Sequence, residues 1–86
     1  MRIDTDLSAD SAYLALTGGQ IARTVQLSPR LLVDEDRAGA PVGVEVLGLD
    51  SLPVAELLDR YPLPQRQADQ LRALAASWAR PALEVA

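Results

Sequence analysis

The sequence predicts an α+β fold, in which an antiparallel β-meander of four to five strands is followed by two C-terminal helices. Through residue 50, short runs rich in Val and Leu alternate with polar side chains and end at Gly, Pro or Asp, as strands and turns do. Beyond residue 50 the apolar spacing changes to three and four, which is typical of helices. A chain of 86 residues makes one small domain, with the β-meander over residues 1–50 and a helical extension over residues 51–86 packed on the sheet.

The central hairpin of this sheet is predicted over residues 31–36 and 41–49. Both runs are apolar, and in the second run Val42, Val44 and Val46 recur at every other position. An acidic break that contains a glycine separates the two runs. Alternation of β-branched residues beside a polar, glycine-bearing turn is typical of a β-hairpin.

Further strands are predicted upstream of this hairpin. Residues 1–6 predict a short edge strand, and residues 11–17 and 20–27 predict two strands joined by a turn at Gly18 and Gly19. Glycine accepts the positive φ that two-residue hairpin turns require. We therefore expect these two strands to pair directly, as they do in a sequential meander.

Two helices bounded by prolines follow the strands. Asp50 or Ser51 is placed to cap the first helix, which ends at Pro62 after about two turns. The second helix is predicted over residues 64–80, and Pro81 ends it. One apolar stripe along this helix predicts a contact with the sheet. Its residues are Ala68, Leu71, Leu74, Ala75 and Trp78.

Apolar side chains occupy both sets of alternate positions in the predicted strands. An antiparallel sheet usually buries one face, and the two helices can cover that face. The other face is then expected to be an exposed apolar patch, which generally marks an interface. The pattern leaves open whether the face of Leu32, Leu47 and Leu49 or its opposite packs on the helices. We expect a homodimer or a protein partner on the uncovered face or at a sheet edge.

The composition argues against an enzyme. The chain has no Cys, no His and no Lys. Thiolate and imidazole ligands are therefore missing, as are the commonest acid–base residue and a Schiff-base or P-loop lysine. We expect no catalytic residue, no cofactor and no metal site.

The charge balance argues against nucleic acid and membrane partners. Twelve acidic residues against eight Arg give a net charge of −4, which is the wrong sign for binding phosphates. No apolar run approaches the roughly 20 residues of a membrane span, and the first residues lack the apolar core of a secretory signal. We therefore expect a soluble cytoplasmic protein.

The acidic turn of the hairpin is the first candidate site. Asp34, Asp36, a glycine at position six and Glu45 match part of the calcium-loop template, but Ala38 offers no side-chain oxygen at position five. The alternative is a hairpin tip with solvated carboxylates, and we favour it. In that interpretation Asp34, Glu35 and Asp36 are available to a protein partner.

Asp4, Asp6 and Asp10 are the second candidates. Paired with Asp34 and Asp36, they would supply carboxylates for general acid–base catalysis. Asp is also an ordinary turn residue, and a chain this small has little room for a cleft. We favour turn formation over catalysis.

Arg23 and the helical stripe are further candidate contacts. Arg23 stands among apolar neighbours on its strand, so it either pairs with Glu45 across the sheet or anchors a partner. Leu71, Leu74 and Trp78 either dock into a partner's groove or cover the sheet of their own chain. We favour the structural alternative in both cases.

Three motifs in the first half of the chain carry a family resemblance. They are Asp6-x-x-Ala9-Asp10-x-x-Tyr13-Leu14-x-Leu16, then Ala22-Arg23-Thr24-Val25-x-Leu27, then Val33-Asp34-x-Asp36-x-x-Gly39-x-x-Val42-Gly43-x-Glu45-x-Leu47. In order and spacing, residues 1 to about 50 resemble the short bacterial proteins of domain-of-unknown-function family 2283. The resemblance implies a compact β-meander and supplies no activity. Members are often encoded beside small toxin-like proteins, which implies an antitoxin-like or partner-binding role.

We therefore expect a non-enzymatic protein-interaction module that neutralises a small basic toxin, because a net charge of −4 suits a basic partner. The rival from another class is a structural homodimer that scaffolds a larger assembly. A small-molecule or metal-binding domain is a third option. The expected partner-binding residues are Asp34, Glu35, Asp36, Arg23, Glu45, Leu71, Leu74 and Trp78.

Overall fold

A computed structural model describes residues 1–50 and 52–78, and in these residues five strands precede two helices. All neighbouring strands are antiparallel, so the predicted α+β class is confirmed. The strands are β1 (Arg2–Asp6), β2 (Ser11–Ala15), β3 (Arg23–Ser28), β4 (Leu31–Glu35) and β5 (Pro41–Leu47), and the helices are α1 (Val54–Arg60) and α2 (Gln65–Trp78).

The strands lie in the order β1-β2-β5-β4-β3. The predicted central hairpin is confirmed as β4–β5. The predicted direct pairing of β2 with β3 is wrong, because β2 pairs with β5 and β3 forms the far edge. Gly18 and Gly19 do not form a primed turn, since the glycines with positive φ among the described residues are Gly39 and Gly48.

The connection from β2 to β3 runs along one end of the sheet. It begins where the Leu16 amide donates a hydrogen bond to the Val42 carbonyl at 2.8 Å. It ends where the Ala22 amide donates to the Glu35 carbonyl at 2.7 Å. Residues 16–22, the crossing connection, thus link two strands that other strands separate, beside the β4–β5 turn.

The core lies between one face of the sheet and the two helices. It is aliphatic, as the absence of Phe requires, apart from the buried ring of Tyr61. Burying each large aliphatic side chain contributes roughly 1.5–3 kcal/mol relative to leaving it exposed, so the helices and the sheet stabilise each other. The largest fully buried side chains are Leu14, Leu31, Val33, Val44, Val46, Leu57 and Leu71.

Helix α1 begins at Val54, directly after its N-cap residue Pro53, and among the described residues no side-chain hydrogen bond caps it. The prediction of Asp50 as the N-cap residue is wrong, because Pro53 occupies that position; the Asp50 carboxylate accepts a hydrogen bond from Arg30. Ser51, the other predicted cap, lies outside the described residues. The chain leaves the helix at Tyr61, immediately before Pro62, as predicted.

Helix α2 carries the predicted stripe on the side that contacts the sheet. Ala68 and Leu71 are buried, and Leu74, Ala75 and Trp78 are half-buried against the core. The stripe is therefore the helix's own contact with the core, which is the alternative that we favoured. Within residues 1–50 and 52–78, neither helix has the length and apolar character that crossing a bilayer demands.

Candidate protein-interaction face

The face of the sheet opposite the helices is not covered by any described element. The strand register determines which side chains lie on it, because residues directly opposite each other in an antiparallel pair share a face. We call this surface the open face. Its side chains include Arg2, Asp4, Asp6, Ser11, Tyr13, Ala15, Thr24, Gln26, Leu32, Asp34, Glu45 and Leu47.

The open face is mainly polar, so the expectation of an exposed apolar patch is wrong. Its large aliphatic side chains are Leu32, which is half-buried, and Leu47, which is 37% exposed. The other positions of the central strands carry the buried residues, among them Leu31 and Val33. The face that packs on the helices is therefore the one opposite Leu32 and Leu47.

A row of hydrogen bonds crosses four strands of the open face. The Tyr13 hydroxyl on β2 donates to Asp34 Oδ2 on β4 at 2.6 Å, and the Thr24 hydroxyl on β3 donates to Asp34 Oδ1 at 2.6 Å. Tyr13 crosses β5 at Gly43, where an added Cβ would overlap the Tyr13 ring and hydroxyl. Glycine inside a strand often marks such a close approach. Burial and the hydrogen bond to Asp34 raise the pKa of Tyr13 to about 12.

Exposed carboxylates flank this row. Asp4 and Glu45 lie directly opposite Tyr13, one on each neighbouring strand, and both are exposed. Asp4 accepts a hydrogen bond from Arg2 Nε at 3.1 Å, whereas Glu45 forms no ion pair with any residue that the structure describes. Leu47 follows Glu45 by two residues on the same face, so the surface combines carboxylates with apolar area.

The net negative charge of the chain lies in the residues that form the sheet and its loops. Residues 1–50 contain eight acidic residues and four Arg, whereas residues 51–86 contain four of each. The strands and their loops therefore account for the whole net charge of −4. Attraction toward a positively charged partner acts mainly on this part of the molecule.

Glu35 lies on the opposite side of the sheet from the open face, at the end of β4, and is only 4% exposed. Its carboxylate accepts hydrogen bonds from the Tyr61 hydroxyl and from Arg23 Nη1, the latter at 2.9 Å. Arg60 Nη2 lies 3.7 Å from the same carboxylate. The hydrogen bonds from Tyr61 and then from Arg23 hold the pKa of Glu35 below its usual 4.5. This cluster fastens the end of α1 to β3 and β4 and leaves Glu35 inaccessible to a partner.

Arg23 pairs with Glu35 and not with Glu45, so the predicted pair exists with a different carboxylate. Arg23 lies opposite Glu35 on the neighbouring strand, whereas the alternation along β5 places Glu45 on the open face. The Arg23 guanidinium also donates to the carbonyls of Asp36 at 3.2 Å and Arg37 at 3.4 Å. It therefore joins the start of β3 to the β4–β5 turn.

Asp36 is used by the β4–β5 turn itself. Its Oδ1 accepts hydrogen bonds from the amides of Ala38 and Ala40, each at 2.9 Å, and Gly39 adopts a φ of 86°. Nowhere in residues 1–50 and 52–78 do three side chains of the kinds that ligate metals come together. The geometry is that of a hairpin turn, the alternative that we favoured over a calcium loop.

The other loop carboxylates are used in the same way. Asp6 accepts hydrogen bonds from the Ser8 hydroxyl at 2.8 Å and the Ala9 amide at 3.2 Å. Asp10, with a φ of 52°, accepts one from the Leu49 amide at 3.2 Å. These are turn roles, as predicted for Asp6 and Asp10. The same prediction is wrong for Asp4, which lies within β1 and accepts a hydrogen bond from Arg2.

An open groove of about 850 Å³ lies between the crossing connection and the β4–β5 turn. Asp36 is the single acidic residue in its lining, so the groove offers no pair of carboxylates. The Asp36 carboxylate accepts hydrogen bonds from the turn amides. The lining residues are Gln20, Ile21, Ala22, Asp36, Arg37 and Ala38.

Comparison with known proteins assigns the family but no activity. The family model described as a protein of unknown function, DUF2283, matches residues 2–49. The chain belongs to this family. The DUF2283 match spans all five strands and ends before α1, and the resemblance drawn from the motifs is thereby confirmed. Searches of curated proteins and of solved structures find no match.

Several of the motif residues that carry the DUF2283 resemblance have structural roles in this chain. Tyr13, Thr24, Asp34 and Gly43 make the hydrogen-bonded row across the open face, and Arg23 fastens β3 to the turn. These five residues therefore help to build the sheet, whereas Glu45 and Leu47 of the third motif are exposed on the open face. The exposed side chains that lie around the row are the ones free to contact another molecule.

Sequence reasoning missed the long reach of Tyr13 and the role of Tyr61. A signal for the first was present, because Gly43 interrupts an otherwise β-branched strand, and such a glycine indicates a close approach. No comparable signal links Tyr61 to Glu35, since 26 positions separate them and neither spacing nor charge pattern connects a loop tyrosine to a strand carboxylate.

Proposed function

We propose that this protein is a non-catalytic protein-interaction module whose open face binds a small basic protein, and that it neutralises that partner as an antitoxin does. The observation that carries the proposal is the exposed pair Asp4 and Glu45 beside Leu47, on a sheet that holds the whole net charge of −4. Apolar area within a polar surround is the usual anatomy of an interface. Complementary charge speeds association and selects the partner.

The absence of a catalytic role is part of this proposal. Asp34 accepts hydrogen bonds from Tyr13 and Thr24. Glu35 accepts them from a tyrosine and an arginine, and Asp36 accepts them from turn amides. Catalytic acids and bases need a free position toward substrate. These three carboxylates instead support the fold.

The eight residues expected to bind a partner divide accordingly. Glu45 lies exposed on the open face, and we retain it as a partner-binding residue. The others contribute to the fold that presents it, through hydrogen bonds of Asp34, Glu35, Asp36 and Arg23 and through the core contacts of the α2 stripe. Asp4 and Leu47 take their place as contact residues.

Affinity purification of the tagged full chain from its native host tests the proposal. We expect one small basic protein to co-purify and to elute as salt is raised, because screening weakens surface charge interactions. An acidic partner, or a basic one whose retention is independent of salt, would contradict the proposed surface.

The alternative function is a structural homodimer that scaffolds a larger assembly. It is favoured by the unpaired outer edge of β3, which pairs with β4 alone among the described strands. Self-association without a second protein in the same purification would favour this alternative.

A further inference from the structure

The two edges of the sheet differ in charge. At one edge, three of the five residues of β1 are charged, namely Arg2, Asp4 and Asp6. At the other edge, β3 has a single charged residue, Arg23, whose guanidinium is directed to Glu35 and to turn carbonyls. Charged side chains are a common means of preventing pairing at an edge. By this criterion β1 is protected and β3 is not.

The outer side of β3 is open to pairing. Within residues 1–50 and 52–78 its neighbouring strand is β4, so its other side presents backbone N–H and C=O groups in a row. The middle of the strand is uncharged and consists of Thr24, Val25 and Gln26. Thr24 directs its hydroxyl inward to Asp34, so it does not obstruct the edge.

We propose that β3 pairs antiparallel with β3 of a second copy, about a two-fold axis at Val25. The two five-stranded sheets then form one continuous sheet. Val25 lies opposite Val25 of the second copy on the helix side, and Thr24 lies opposite Gln26 of the second copy on the open face. The alternation of β3 is regular from Arg23 to Gln26, before its register shift between Gln26 and Ser28, so these central opposite pairs share a face, as antiparallel pairing requires.

The charges of β3 are compatible with this self-pairing. Arg23 lies opposite Leu27 of the second copy, and the two Arg23 side chains are four positions apart, roughly 14 Å along the strands. That separation exceeds the screening length of about 8 Å at physiological salt. The equivalent pairing of β1 about its middle residue would place Asp4 directly opposite its own copy, which is destabilising. The second copy is therefore expected at β3.

The self-pairing goes beyond the proposed function and does not use the open face, because its contacts lie at the β3 edge. A two-fold axis perpendicular to the sheet keeps both open faces on one side and both pairs of helices on the other. The dimer would present two acidic faces side by side, whereas the β3 edge itself makes no contact with Asp4 or Glu45 in the register. Failure of the self-pairing would therefore leave the proposed binding of a basic partner intact, and the reverse also holds.

A cysteine cross-link tests the register directly, because the chain contains no cysteine. Residues directly opposite in an antiparallel pair have Cα atoms about 4.5–5.5 Å apart, within the range that a disulfide spans. We expect Val25→Cys to form a disulfide-linked dimer under mild oxidation. The matched control is Thr5→Cys, next to the middle residue of the other edge strand and on the same side of the sheet, which should remain mostly monomeric.

Sedimentation velocity over a concentration series provides the second measurement. We expect the natural chain to show a concentration-dependent dimer, and Val25→Lys to weaken it by about ten-fold or more because two positive charges then face each other. Thr5→Lys should leave the dimer unchanged, and circular dichroism reports whether each variant is folded. Equal cross-linking of both cysteine variants, or a monomer at every concentration, would overturn the proposal. It would also be overturned if Val25→Lys instead abolished binding of a different protein, because that partner, and not a second copy, would then pair with β3.

Discussion

The Tyr13 hydroxyl on β2 and the Asp34 carboxylate on β4 form a 2.6 Å hydrogen bond across a strand to which neither belongs. The crossing is possible because β5 has Gly43 beneath the ring. Side chains thus link β2 to β4, and through Thr24 to β3, in addition to the backbone ladder. Such a satisfied network rigidifies its surroundings, and here it holds the open face in one arrangement.

The closeness of Gly43 to Tyr13 predicts a strong coupling between the two positions. Gly43→Ala should destabilise the protein by about 1–3 kcal/mol, because the added methyl group forces Tyr13 away from Asp34. In a Tyr13→Ala background the same change should be neutral or slightly stabilising, since alanine is better than glycine in a strand. Urea denaturation of the four chains of this cycle gives the coupling energy. A coupling near zero would show that the tyrosine does not lie over the glycine.

Tyr61 is predicted to contribute more to stability than Tyr13. Tyr61 is 2% exposed and donates to the buried Glu35 carboxylate, whereas Tyr13 is half-buried. Tyr61→Phe should cost about 1–3 kcal/mol because it removes a donor from a buried charged acceptor, and Tyr13→Phe should cost about 0.5–1.5 kcal/mol. Chemical denaturation measures both. The reverse order would contradict the assignment of Glu35 to the core side.

Stability is predicted to fall at both ends of the pH range. The pKa of Glu35 is lowered in the folded state. The stabilisation of the fold by ionised Glu35 is therefore present above about pH 4.5 and is lost as pH falls below that value. The pKa values of Tyr61 and Tyr13 are raised to about 12, so their stabilisation is present below pH 10 and is lost between pH 10 and 12. Denaturation at a series of pH values measures both limbs. Tyrosinate absorbance appearing near pH 10 in folded protein would contradict the alkaline limb.

The assignment of the two sheet faces predicts opposite outcomes for two leucines. Leu57 on α1 is fully buried against the sheet, whereas Leu47 on the open face is 37% exposed. Leu57→Ala should destabilise the protein by about 2–5 kcal/mol. Leu47→Ala should change the free energy of unfolding by no more than about 0.5 kcal/mol while weakening partner binding. A large loss of stability from Leu47→Ala would mean that the open face is covered.

The strands and helices could be predicted from the sequence because their periodicities are local. The alternation of Val42, Val44 and Val46 defines β5, and the prolines bound α1. Strand order could not be predicted, because Gly18-Gly19 permits a tight turn without requiring one. Nothing local shows that β2 pairs with β5, since that choice depends on burial of the whole sheet.

The candidate site was predicted less well than the fold, and for the same reason. The run Asp34-Glu35-Asp36 suggests a single acidic tip, but strand alternation sends successive side chains to opposite faces and the turn uses the third. Glu35 consequently lies in the core with Tyr61, while Glu45 lies on the open face. Alternation within a strand shows which residues share a face of the sheet. Which of the two faces is covered depends on helices that lie elsewhere in the chain.

The most direct test of the central claim is the affinity of the basic partner for three forms of the full chain. They are the natural protein, the double variant Asp4→Asn/Glu45→Gln on the open face, and the double variant Glu56→Gln/Asp59→Asn on α1. Both variants remove two exposed carboxylates, so they differ in the place of the charge and not in its amount. We expect the open-face variant to bind about ten-fold more weakly or worse, a loss of about 1.4 kcal/mol, and the helix variant to bind as the natural protein does. Equal affinities for the two variants would contradict the open face as the binding surface.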